Sequence, residues 1–259
     1  MKKLNSKVEN ISQILFIDIE TSALSPDYKQ LSPSDQKYWD IKTNQLKRPS
    51  DSDFGTSKDV FYIKRAGIYA EFSRIVCISI GYIDVISKHK AFIITKSFFN
   101  LIESKLLHEF SEFLQEKSVS TDIAFLCGHN IKEFDIPFIC RRMIVNNIIL
   151  PDLLMISGKK PWQIPFILDT LDMWKFGDYK NYISLDLLCT IFNISSPKEE
   201  ISGSEVHDYF WFKKQYSAIC HYCELDVFST AMVYLRLRQV CLKLDVEHKS
   251  KTKYVDFKI

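Results

Sequence analysis

The sequence predicts an α/β domain: a mixed five-stranded sheet flanked by helices, with a helical insertion after the first strand. Three observations predict it. Short apolar, β-branched runs recur between longer segments whose apolar residues keep a helical spacing. The order is strand, insertion, strand, strand, helix, strand, helix, strand, helices. The 259 residues are 46% hydrophobic and 25% charged. That is enough apolar material for one sizeable core, and it excludes disorder, collagen and coiled coil. The expected division is one domain over 1–245, including an insertion at 22–72, and a loosely held polar tail over 246–259.

Ile14–Ile19 is a buried strand by its apolar, β-branched run. The polar stretch that follows carries Pro26, Pro33 and Pro49. Within it Ser32–Leu46 reads as a helix, with Ser32 as cap and Pro33 in the first turn. Lys58–Ala66 reads as a second. Arg74–Val85 and Lys90–Thr95 form a hairpin across Ser87-Lys88-His89. Asn100–Glu116 repeats apolar residues at 101, 102, 106, 107, 110, 113 and 114, one helical face. Ile123–Cys127 is a buried strand ending at Gly128-His129-Asn130. Phe134–Val145 is a helix with Pro137 in its first turn. Ile164–Leu168 is a short strand, Ser184–Phe192 a helix capped by Ser184, and Phe212–Leu244 the last long helix.

Charge and cysteine content narrow the function. Lys and Arg number 34, Asp and Glu 32, a net of +2. Non-specific electrostatic adhesion to nucleic acid is therefore excluded. A nucleic-acid partner would need local basic patches, stacking or metal ions. Seven cysteines at irregular spacing do not make a disulfide framework. Cys220 and Cys223 form a C-x-x-C with no second pair, so they read as helix interior. No apolar run approaches the ~18 residues of a membrane helix. Asp18 and Glu20 interrupt the first apolar stretch too early for a signal peptide. A cytoplasmic protein is expected, with no membrane partner.

Acidic residues meet buried elements in three places. Asp18 and Glu20 end the first strand two residues apart, so they share a face. Asp135 opens a helix just after a strand. Asp226 lies one helical turn after Tyr222. Each also has a structural reading: capping a strand end, complementing a helix dipole, or pairing with a lysine. Together, four carboxylates at the ends of central elements can make an all-oxygen site for Mg²⁺ or Mn²⁺. Two such ions clamp the oxygens of a phosphoryl transfer.

These residues fall in three motifs: Phe16–Thr21 (FIDIET), Gly128–Phe138 (GHNIKEFDIPF) and Tyr222–Asp226 (YCELD). The chain resembles the DEDD 3′–5′ exonucleases of the ribonuclease-H-like superfamily. The likeness is greatest to the stand-alone bacterial predicted PolB-like enzymes, which are similar to proofreading domains of family B DNA polymerases. It extends over most of residues 12–240. The resemblance implies a ribonuclease-H-like fold and two divalent cations, Mg²⁺ or Mn²⁺. It implies that Asp18 bridges both ions, Glu20 and Asp226 hold the ion beside the attacking water, and Asp135 holds the second. Tyr222 would hydrogen-bond the water. His221 also fits the histidine variant of the motif. However, it lies about 100° round the helix from the Tyr222–Asp226 stripe, and three residues separate Asn130 from Phe134, as in the tyrosine subclass.

Thr21, Leu24, Asn130 and Phe134 are the substrate-contacting positions by the same resemblance, with Leu24 as a wedge. Core packing is the alternative reading for Leu24, Phe134 and Phe138. Arg141 and Arg142 read as a solvated helix face, with phosphate contact the alternative. Tyr38, Trp39, Lys42, Lys47 and Arg48 interleave aromatic and basic side chains and are candidates for a single-strand channel. The implied activity is removal of nucleoside 5′-monophosphates from single-stranded or frayed 3′ ends of DNA, in repair or trimming. No attached polymerase domain is expected, since 259 residues are too few to hold one beside this domain. An exoribonuclease and a catalytically inactive nucleic-acid-binding module are the alternatives.

Overall fold

The structure, a computed structural model, describes residues 11–46, 55–120, 123–178, 183–194, 201–240 and 245–253. Its centre is a mixed sheet in the order β5-β4-β1-β2-β3-β6. The strands are β1 (Ile14–Ala23), β2 (Ser73–Ser87), β3 (Lys90–Phe98), β4 (Phe125–Gly128), β5 (Ile167–Asp169) and β6 (Asp245–Ser250). β5, β4 and β1 run parallel, β2 and β3 continue as antiparallel neighbours, and β6 joins β3 in parallel. The helices are α1 (Pro33–Leu46), α2 (Lys58–Arg65), α3 (Glu103–Val119), α4 (Asp135–Val145), α5 (Thr170–Lys175), α6 (Leu185–Ile191) and α7 (Tyr216–Leu237). The α/β class and the flanking helices are as the sequence predicts.

The two faces of the sheet differ because side chains alternate along each strand. Leu15, Ile17 and Ile19 of β1 point one way, with Ile78, Ile80 and Phe98. They pack on Leu106, Phe110 and Leu114 of α3 and on Ile136, Ile139 and Met143 of α4. Phe16, Asp18 and Glu20 point the other way, opposite Gly81, Ser79 and Cys77. That face carries α7. A Cβ on Gly81 would lie 2.6 Å from Val227 Cγ1, so the glycine lets α7 approach the strands closely. Pairing of β1 with β2 slips between Glu20 and Thr21, where Val76 is an extra residue in β2. Such a bulge bends and twists a strand end and re-aims its side chains.

A buried ion pair secures the bulge. Arg142 of α4 donates from Nε and Nη2 to Glu103 of α3, at 2.9 and 2.5 Å. Glu103 also accepts from the Ile75 backbone N–H at 2.8 Å, and Arg142 Nη1 donates to Ala70 O at 2.9 Å. Arg142 is buried. The solvated or phosphate-contacting role read for it is corrected, whereas Arg141 beside it is exposed.

Other expectations change with the structure. The sheet has six strands, not five. The sixth comes from a segment expected to be a loose tail. Its polar residues hide the strand pattern, but backbone pairing with β3 and a hydrogen bond from Thr252 Oγ1 to buried Glu224 hold it. The last helix begins later than expected. Residues 209–213 form a π-helical turn, and Lys214, at φ 55°, takes the left-handed conformation before α7 starts. In the insertion, Trp39 is fully buried against Phe61, Tyr62, Tyr69 and Phe72. It belongs to a small core rather than to a channel. Tyr38 stays exposed, and Lys42 Nζ sits 4.7 Å over the Tyr69 ring. Lys47 and Arg48 lie outside the described residues.

Removing one partner of the buried pair strands the other's charge. Glu103→Ala should lower stability by about 3–5 kcal/mol, and Gly81→Ala by about 1–3 kcal/mol through overpacking against Val227. Urea unfolding checks both. A loss below 1 kcal/mol for Glu103→Ala would contradict its role as the tie between α3, α4 and β2.

Candidate active site

The strand alternation that buries Ile17 and Ile19 turns Asp18 and Glu20 together toward α7. Cys223 of α7 faces them. Its Sγ lies 3.3 Å from Asp18 Oδ2 and 3.4 Å from Asp18 O. Donor atoms of Asp18, Glu20 and Cys223 lie within 4.8 Å of one another, the one such group among the described residues. Asp18 is half-buried, and Glu20 and Cys223 are buried.

Asp135 comes from the far side of β1. It is buried at the first position of α4, and its Oδ1 accepts the Ile19 N–H at 3.2 Å. Asp226 follows Cys223 by three residues on α7. The other three carboxylates act on Asp18. Burial raises the Asp18 carboxyl well above the usual carboxylate range, and the charges of Asp226, Asp135 and Glu20 raise it further. Burial pushes Asp135 up to about 7 against two backbone N–H donors, its own and that of Ile19. Burial also holds the Cys223 thiol high, aided by Cys77, Asp18 and Glu20.

The loop that presents Asp135 is shaped by residues the sequence reading passed over. Asp169, at the end of β5, accepts N–H groups from Asn130 (3.0 Å), Lys132 (3.1 Å) and Leu171 (2.9 Å). It thus ties the turn after β4 to the start of α5. Asn130 sits at φ 61°, a conformation asparagine tolerates. Its carbonyl accepts from Phe134 at 3.0 Å. Gly128 has no room for a side chain, since a Cβ would lie 2.6 Å from Ile131 Cβ. His129 joins Thr170 Oγ1 and Ile183 O, both at 3.0 Å. A signal for Asp169 exists in the sequence: an acid closing a short strand directly before Thr170-Leu171 is a ready helix cap.

The other predicted positions spread outward. Thr21 Oγ1 donates to Gly67 O at 2.7 Å, joining β1 to the end of the insertion. Leu24 is half-buried beside the insertion core and lines a cavity of about 240 Å³ with Arg74, Leu101, Ile102 and Asn146. Phe134 packs on Phe138, ring centroids 5.4 Å apart, at the edge of the main core. Core packing is thus the observed setting of both phenylalanines. Tyr222 is half-buried against the cluster that α7 forms with Val76, Cys77, Ile201 and Phe210, and its hydroxyl lies beside Gly203. His221 is exposed; burial lowers the pKa of His248 in β6, and the nearby His221 adds a smaller push in the same direction. The segment 206–213 closes this end. His207 Nδ1 lies 3.0 Å from Ser22 Oγ, and Trp211 Nε1 donates to Ala23 O at 3.1 Å.

Chemically, Asp18 sits among other acids: Asp226, Asp135 and Glu20 each act on it electrostatically. Such a set is costly unless protonated or neutralised by a cation, and hard oxygen donors suit Mg²⁺ or Mn²⁺. The residues therefore fit divalent cations. No helix among the described residues is long and apolar enough to cross a membrane.

No curated protein matches the chain. Among solved structures, the family B DNA polymerase from the hyperthermophilic archaeon Pyrobaculum calidifontis matches with a TM-score of 0.50 at 15% identity. The match covers 86% of this chain and 24% of that one. The chain spans about a quarter of that polymerase's length, and the likeness is one of fold. A family model described as a predicted 3′–5′ exonuclease related to the exonuclease domain of PolB matches residues 68–256. It takes in Asp135, Tyr222 and Asp226, while β1 precedes it. With more than half of its length matched, the chain belongs to this family of predicted PolB-related 3′–5′ exonucleases.

Proposed function

We propose that the protein is a divalent-metal-dependent 3′–5′ exonuclease that hydrolyses DNA from single-stranded or frayed 3′ ends to nucleoside 5′-monophosphates. The observation that carries the reading is that Glu20 of β1, Asp135 of α4 and Asp226 of α7 all lie close enough to Asp18 of β1 for their charges to raise its pKa. Membership of the exonuclease family supports it.

In this reading Asp18, Glu20, Asp135 and Asp226 would hold the divalent cations, with Asp18, at the centre of the set, feeling the charge of the other three. When bound, the cations supply the positive charge that offsets charge building on the phosphate oxygens. The chain's own residues do the rest. Tyr222 orients the attacking water through its hydroxyl. Its half-buried place beside Gly203, against exposed His221, favours it over the histidine. The Asp169-bound turn holds Asp135, and the β2 bulge aims Glu20. Leu24, at the mouth of its cavity, separates the terminal base from its neighbour. Thr21 and Asn130 shape the floor through backbone contacts.

Two experiments test this. A 5′-labelled DNA oligonucleotide should give a ladder from its 3′ end with Mg²⁺ or Mn²⁺ and none with EDTA. Asp18→Ala should cut the rate about 100-fold or more, and Tyr222→Phe about 10-fold or more. Cleavage indifferent to EDTA or to Asp18→Ala would refute the metal mechanism. Faster loss of the matching RNA would make the substrate RNA.

The second experiment uses pH. The Asp135 carboxyl is raised in the fold to about 7, so proton uptake favours the folded state. That contribution is fully present below about pH 4 and gone above about 7. In EDTA, Tm should fall as pH rises through this window, and less steeply for Asp135→Asn. Mn²⁺ should raise the Tm of the natural protein more at pH 8 than at pH 5. Equal slopes for the two proteins would contradict the buried, protonated state.

A further inference from the structure

Cys223 has no part in the mechanism above, yet it sits against the carboxylates. Its side chain is fully buried, and its Sγ is 3.3 Å from Asp18 Oδ2. One donor atom each from Asp18, Glu20 and Cys223 falls within 4.8 Å of the other two. Ligands at ~2.0–2.3 Å from a tetrahedral ion stand about 3.5 Å apart. The sulfur–oxygen separation is already of that size. Carboxylates alone suit hard cations, whereas a thiolate selects thiophilic ones. The three residues come from two elements, β1 and α7, held at this approach by Gly81. The site is therefore built by the fold rather than by a mobile loop.

We propose that Asp18, Glu20 and Cys223 form a two-carboxylate, one-thiolate site for a thiophilic divalent cation of the Zn²⁺ and Cd²⁺ class. Binding breaks the Cys223 S–H bond and forms one metal–sulfur bond; the thiol proton, with any proton carried on the Asp18 or Glu20 carboxyl, leaves to solvent, and no electron moves. The site overlaps the place assigned above to the divalent cations held by Asp18 and Glu20. On the exonuclease reading, a thiophilic cation there displaces Mg²⁺ and blocks cleavage. Only that consequence rests on the proposed function; the site itself does not.

The test is a titration of the metal-free full-length chain with Co²⁺ and Cd²⁺, following sulfur-to-metal charge-transfer absorption. Circular dichroism checks that each variant is folded. The natural protein should show a band saturating at one ion per chain. Cys220→Ser should keep it, since Cys220 faces Cys77, 3.8 Å away, rather than the carboxylates. Cys223→Ser and Cys223→Ala should lose it. Asp18→Asn should weaken binding about 10-fold or more, a loss typical even of an outer-shell partner. A band that survives in Cys223→Ser, or disappears in Cys220→Ser, would overturn the proposal in favour of the Cys77–Cys220 pair. Binding heat without any band would overturn it in favour of an all-oxygen site. In a parallel cleavage assay, Zn²⁺ should inhibit the Mg²⁺-supported reaction of the natural protein, with relief in Cys223→Ser. An absence of cleavage under all conditions would sink the exonuclease reading and leave the metal–sulfur band to decide the site by itself.

Discussion

The repulsion that Asp18 meets from Glu20, Asp135 and Asp226 is the constraint around which this end of the molecule is built. Each acid would be cheaper in water, and burial raises the Asp18 and Asp135 carboxyls well beyond their ordinary range. A fold that holds them together must supply rigid supports and must gain from them elsewhere. The supports are visible. The Ile19 N–H reaches Asp135, the Arg142–Glu103 pair clamps the β2 bulge beside Glu20, and Gly81 brings α7 down onto the strands. The Ile19 N–H eases the charge on Asp135 in part, while the other two contacts fix geometry.

The sheet's two faces divide the labour. One is aliphatic and packs on α3 and α4 in the ordinary way. The other is mixed: Phe16 and Val227 pack near Gly81, while Ser79 of β2 and Thr95 and Ser97 of β3 form a polar network with buried Glu224 of α7. A helix with acids and thiols on its buried stripe can remain against a sheet only where polar partners meet it. The C-terminal strand and the residues after it join in: His248 meets Thr95, and Thr252 Oγ1 donates to Glu224 of α7. β6 therefore ends the sheet and also encloses the polar side of α7.

Much of this was legible in the sequence. Period-two alternation put Asp18 and Glu20 on one face. A helix start fixed Asp135, and the i, i+4 spacing aligned Tyr222 with Asp226. What escaped was set by partners far away in sequence. Asp169 matters because of a turn some forty residues earlier. Arg142 looked like a surface arginine until Glu103 faced it across two helices. Trp39 followed a basic–aromatic pattern, but its neighbours in space are Phe61, Tyr62 and Phe72. β6 has too few apolar residues to announce itself. Cys223 read as helix interior, and helix interior is what it is, but its neighbour is a carboxylate from the other end of the chain.

The most direct measurement is anomalous diffraction at the manganese edge from crystals of the natural protein soaked in Mn²⁺. If the carboxylate crevice is a divalent-cation centre, the anomalous peaks fall between Asp18, Glu20, Asp135 and Asp226 and disappear in Asp18→Ala crystals. Peaks confined to the outer surface, or a crevice that stays clear of density at saturating Mn²⁺, would contradict it and leave the four acids without the cation their arrangement demands.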